Sequence, residues 1–116
     1  MQLTTIFTLL TATATVASAW EFTGYRDQLY KGGVVVGRSG GILTNNLCVD
    51  IIINDNKMSS FKWYRGFDLS CSFTLFDGHG CKGRLLASSG PNWNVPAISA
   101  GNDNEASSLW VDCLKG

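Results

Sequence analysis

The chain has 116 residues, with 9 basic and 9 acidic side chains and a formal net charge of zero. With no basic cluster, it argues against nucleic-acid binding and against membrane attachment by charge alone. Its size suits one small domain with a limited core, and its 4 cysteines are the staples such a domain needs.

Leu3 to Val16 is apolar and threonine-rich, and Ala17-Ser18-Ala19 has the small-x-small pattern of a cleavage site. Residues 1–19 therefore read as a secretory signal peptide, although no Lys or Arg precedes the apolar run. The run is too short to span a membrane and no second one follows, so no transmembrane segment is expected. The expectation is a secreted, extracellular domain over residues 20–116. No Asn-x-Ser/Thr sequon occurs, so N-glycosylation is not expected.

From Trp20 onward, glycine and asparagine punctuate short runs rich in Val, Ile, Phe and Trp. No apolar pattern of helical period lasts long enough to demand a helix, so the chain reads as all-β with tight turns. Trp20-Glu21-Phe22-Thr23-Gly24-Tyr25 alternates as a half-buried strand should. Phe61-Lys62-Trp63 and Leu109-Trp110-Val111 do the same, which places Trp20, Trp63 and Trp110 in the core. Cys48 to Ile53 is more continuously apolar and reads as a strand buried on both faces or a covered edge. Cys48, Cys71, Cys81 and Cys113 suggest two disulfides, whose pairing the sequence leaves open among three connectivities. A zinc site built on these cysteines is a poor rival, since no Cys-x-x-Cys pair occurs.

The second half repeats the first. Tyr25-x-x-x-x-Tyr30-x-Gly32 matches Phe76-x-x-x-x-Cys81-x-Gly83. Each is followed by the string Asp-Asn-x-x-Ser-Ser, at Asp55 to Ser60 and at Asp103 to Ser108. Each half reads as strand, folded hairpin, strand, loop, strand, over about 20–65 and about 70–115. Two four-stranded Greek keys packed into one sandwich are the expected architecture. Asp, Asn and Ser oxygens with turn carbonyls are what a calcium ion prefers, though the same residues also make plain turns.

The paired hairpins and strings resemble the microbial, calcium-binding branch of the βγ-crystallin superfamily, across essentially the whole mature chain. The resemblance implies a βγ-crystallin-like β-sandwich and two calcium sites. It implies side-chain oxygens from Asp55 and Asp103, and carbonyls from Lys57 and Glu105. It adds hydroxyls from Ser59 and Ser107, each reaching the site of the opposite half, and hairpin carbonyls from Arg26 and Asp77. Ser60 and Ser108 are expected to brace the hairpins. The chain departs from the family where Cys81 replaces an aromatic, and where Arg26 follows the corner aromatic in place of an acid. A disulfide at Cys81 would substitute for the lost ring packing.

The resemblance makes calcium binding and stability the expected activity, not catalysis. Asp27, Asp50, Asp68, Asp77 and Asp112 are scattered, and no catalytic carboxylate pair stands out. His79, in Gly78-His79-Gly80, reads as an exposed hairpin tip. Trp93 lies in Gly90-Pro91-Asn92-Trp93-Asn94, a loop by composition, where it either caps the sandwich or contacts a partner such as a sugar ring. Killer toxins and a proteinase inhibitor share the scaffold. The rival function is therefore a secreted antimicrobial, effector or inhibitor module with a glycan, membrane or protein target.

Overall fold

The structure, a computed structural model, describes residues 19–53, 55–66 and 70–113. The expected signal peptide lies outside the described residues except for Ala19, as do Asn54 and Asp68. Eight strands are described: β1 (Trp20–Asp27), β2 (Lys31–Gly40), β3 (Leu47–Asp50), β4 (Ser60–Tyr64), β5 (Ser72–Phe76), β6 (Leu85–Ser89), β7 (Trp93–Val95) and β8 (Ser108–Asp112). One 3-10 turn, Gln28–Tyr30, sits in the first hairpin. Among the described residues no helix is long and apolar enough to cross a membrane.

The strands form two antiparallel sheets, ordered β2-β1-β4-β7 and β3-β8-β5-β6. Each half of the chain therefore lends its third strand to the other half's sheet. β3 pairs with β8 and β7 pairs with β4. This is the all-β sandwich of two Greek keys that the repeat implies, and the exchange locks the halves into one unit.

Period-two alternation decides what the sandwich buries. Trp20 and Phe22 from β1, Phe61 and Trp63 from β4, Phe73 and Leu75 from β5, and Leu109 and Val111 from β8 point inward and are at most 1% exposed. Phe73 sits among the rings, with centroids 5.3 Å from Phe22, 5.5 Å from Phe61 and 5.0 Å from Trp63. Gly24 continues the inward row because Met58 lies over it. A Cβ there would stand 2.3 Å from the Met58 methyl carbon.

Three sequence expectations need correction. Trp110 is not in the core: Leu109 and Val111 take the inward face, so the pleat turns Trp110 outward, where it is half-buried. The apolar run after Cys48 is not buried throughout. Only Leu47–Asp50 is strand, at a sheet edge; Ile51 is buried, but Ile52 and Ile53 are 81% and 77% exposed. Trp93 is not in a loop. It opens β7, opposite Trp63, at the edge of the first sheet.

The disulfides are Cys48–Cys81 and Cys71–Cys113. Both lie on the second sheet. Cys71 and Cys113 flank the paired residues Ser72 and Asp112 and close the end of the β5–β8 ladder. Cys48 anchors the second hairpin to β3. In the first hairpin that position is Tyr30, which packs edge-on against Tyr25 with centroids 5.7 Å apart.

Candidate metal centre

The hairpins and strings are joined by their serines. The Ser60 hydroxyl donates to the Asp27 carbonyl (2.6 Å) and accepts from the Tyr30 amide (3.0 Å). The Ser108 hydroxyl donates to the Gly78 carbonyl (2.6 Å) and accepts from the Cys81 amide (3.0 Å). Both serines are fully buried, so each hydroxyl braces a hairpin as expected. The hairpins need left-handed backbone: φ is 61° at Tyr30 and 57° at Cys81, then 83° at Gly32 and 97° at Gly83. A Cβ on Gly32 would meet the Asp27 carboxylate at 2.3 Å, and one on Gly83 the Asp77 carboxylate at 2.4 Å.

The preceding serines point elsewhere. Their amides are held by the corner residues, Ser59 by the Tyr25 carbonyl and Ser107 by the Phe76 carbonyl, each at 2.9 Å. Their hydroxyls cross to the other half. Ser59 donates to Asn104 Oδ1 at 3.2 Å, and Ser107 to Asn56 Oδ1 at 2.9 Å. The backbone repeats the exchange, with the Asn56 amide on the Ala106 carbonyl (3.2 Å) and the Asn104 amide on the Met58 carbonyl (3.1 Å). Both asparagines have φ near +60°, a conformation asparagine tolerates better than most residues.

Two groups of the sequence-predicted residues emerge. Asp103 and Glu105 flank Asn104, which meets Ser59, whose amide is held by the corner residue before Arg26. Asp55 and Lys57 flank Asn56, which meets Ser107, whose amide is held by the corner residue before Asp77. In each group the Oδ1 atom of the string's first residue, Asp55 or Asp103, is buried without a hydrogen-bond partner among the described residues. A buried carboxylate oxygen left unpaired is costly, and here the same atom is left so twice. A hard cation beside it would satisfy it.

The donors these residues carry are carboxylate, hydroxyl and carbonyl oxygens, the types that suit calcium. Among the described residues no three His, Cys, Asp or Glu side chains converge on a metal position. A site with one carboxylate and several carbonyls would not gather such a trio. The hairpin side chains of Arg26 and Asp77 each have a charged neighbour. Arg26 lies 3.9 Å from the Asp27 carboxylate, and Asp77 accepts the Arg84 amide at 2.7 Å with the Arg84 guanidinium at 3.6 Å.

Two functional details escaped the sequence reading. Asn56 and Asn104 are the cross-half acceptors; the repeated Asn in second place was their signal. His79 is at a hairpin tip and 54% exposed, yet its Nε2 lies 3.2 Å from Asp55 Oδ2. No spacing links those two residues. Trp93 is 43% exposed, with its ring edge-on to Phe61 at 5.6 Å. It lines an apolar groove of about 250 Å³ with Leu86, Val95 and Ile98, smaller than most ligand pockets.

No family model matches the chain, and no curated protein matches it. Solved structures do. A βγ-crystallin domain from Clostridium beijerinckii superposes with a TM-score of 0.56 at 14% identity, over 80% of this chain and 98% of that one. A βγ-crystallin domain from Flavobacterium johnsoniae gives 0.55 at 17% identity, over 82% and 97%. The N-terminal domain of protein S gives 0.52 at 16% identity, over 81% and 97%. At these identities the likeness is one of fold. The protein has a microbial βγ-crystallin-like fold.

Proposed function

We propose that the protein is a secreted, disulfide-stapled calcium-binding domain in which the ion stabilises the fold and no chemistry is catalysed. The observation that carries this reading is a pair of carboxylate oxygens, Asp55 Oδ1 and Asp103 Oδ1, buried without a hydrogen-bond partner among the described residues, at matching places in the two strings. One site would draw on Asp103, the Glu105 carbonyl, Ser59 and the Arg26 carbonyl. The other would draw on Asp55, the Lys57 carbonyl, Ser107 and the Asp77 carbonyl. Water would complete each shell.

With one carboxylate per site, affinity should fall in the range of extracellular modules, about 10⁻⁴–10⁻³ M. Such sites fill where calcium is abundant, which agrees with the signal-peptide expectation. At ten times Kd, each site would stabilise the native state by about 1.4 kcal/mol through mass action. For a domain of this size that raises Tm by about 5–10 °C. The rival reading, a toxin, effector or inhibitor surface centred on Trp93, has less support: Phe61 and Phe73 pack against the ring, and the groove is small.

The test is thermal unfolding of the oxidised protein in millimolar calcium and in chelator. A rise of several degrees with calcium supports the reading. Identical curves would reduce both strings to turns and move attention to Trp93.

A further inference from the structure

The calcium reading leaves His79 unexplained, because calcium takes oxygen ligands and has no use for an imidazole. Yet the ring is placed with care. Its Nε2 lies 3.2 Å from Asp55 Oδ2 and 3.3 Å from the Ile51 carbonyl oxygen. Both neighbours are acceptors only, so Nε2 carries a hydrogen that the two oxygens share. Three lone-pair donors thus surround one proton.

Those separations have a second meaning. Zinc–nitrogen and zinc–oxygen bonds of about 2.0–2.2 Å in a tetrahedron put neighbouring donors about 3.3–3.5 Å apart. The observed distances are those of a hydrogen bond and, within a tenth or two of an ångström, those of a coordination edge. A dication entering here would take the place of the Nε2 hydrogen, and the imidazole would stay neutral by carrying its hydrogen on Nδ1 instead.

The donors are also held in advance. The Ile51 amide is fixed on the Ser107 carbonyl at 2.9 Å. The hairpin that carries His79 is anchored three ways: by the Gly80 amide on Asp50 Oδ1 at 2.7 Å, by the Cys81 amide on Ser108, and by the Cys48–Cys81 disulfide. Asp55 presents Oδ2 to this cluster and keeps Oδ1 buried on its other side. The first half of the molecule has no counterpart. Matching the serine braces pairs Asp27 with Gly78, so Gln28 stands where the second half has His79.

We propose that His79 Nε2, Asp55 Oδ2 and the Ile51 carbonyl form a binding site for a divalent ion of the zinc class, with water as the remaining ligand. Imidazole with carboxylate and carbonyl oxygen selects borderline ions over calcium. The site shares Asp55 with the calcium reading and otherwise stands apart from it. One carboxylate bridging two dications gives each less charge, so calcium should weaken zinc and zinc should weaken calcium.

His79 is the single histidine of the chain, so its imidazole resonances report on the site without ambiguity. The experiment is a zinc chloride titration of the untagged, oxidised protein, read by NMR of the imidazole, without and with millimolar calcium. Saturable movement of the Nε2 resonance is expected, with a weaker apparent affinity in calcium. His79→Gln should lower zinc affinity in calorimetry by at least the roughly 10–100-fold that losing a supporting partner costs, and should leave calcium binding in place. An imidazole that does not respond to zinc, or His79→Gln binding zinc as tightly as the parent, would overturn the proposal. Zinc binding intact with no calcium heat would overturn the calcium reading alone.

Discussion

Ser60 and Ser108 show what a single hydroxyl does in this fold. Each donates to one hairpin carbonyl and accepts from one hairpin amide, inside a fully buried site. Replacing either by alanine strands two backbone groups at once, at a cost of about 1–3 kcal/mol for each. Ser60→Ala and Ser108→Ala should therefore lower the urea midpoint without altering the m-value. The flanking Ser59 and Ser107 differ in consequence, because their hydroxyls cross to the other half. At this scale much was legible. Which serine of Asp-Asn-x-x-Ser-Ser braces a hairpin was legible through the resemblance, and the hydrogen bonds of Ser60 and Ser108 agree with it. What the string does not encode is its distant neighbour. The His79–Asp55 contact arises from strand exchange, which sets the second hairpin beside the first string.

At the scale of elements, β3 and β7 are the informative strands. Both are short edge strands lent to the opposite sheet. The alternation in β1 and β4 could be read directly, with the large residues on the core face; in β8 the alternation was legible but the buried face was not, because Leu109 and Val111 rather than Trp110 point inward. β3 and β7 have weaker patterns, because an edge strand is judged by its single neighbour and not by two buried faces. That is why Trp93 reads as loop and Cys48 to Ile53 as a strand buried on both faces or a covered edge. Ile53 is 77% exposed, so Ile53→Ser should change stability by no more than about 0.5 kcal/mol. The cysteine pairing was equally closed to sequence, since three connectivities fit four residues. Cys48–Cys81 encloses a separation of 33 residues; removing it with Cys48→Ala/Cys81→Ala should cost about 4 kcal/mol in the chain-entropy account. Denaturant unfolding of the double variant measures that cost. An undiminished midpoint would mean that the hairpin is held by Asp50 and Ser108 alone.

For the molecule as a whole, the two-fold repeat shapes both core and site. The core gathers around Phe73, whose ring meets Phe22, Phe61 and Trp63. Phe73→Ala should cost about 3–5 kcal/mol, seen as a large fall in Tm. The fold class was legible because short apolar runs stand between glycine and asparagine turns, with no lasting helical period, and because the pattern repeats. The reciprocity of the site was legible only through resemblance: the serine hydroxyls of each half cross to the asparagine of the other. The halves are therefore linked through the strings as well as in packing, and under the calcium proposal a ligand lost from one string should disturb both sites unequally. The most direct test is calorimetric titration of calcium into the parent and into Asp103→Ala, counting ions per chain. Two ions are expected for the parent. For Asp103→Ala one is expected, held by the Asp55 string with Ser107. Two ions bound unchanged by the variant, or none bound by the parent, would contradict the calcium reading.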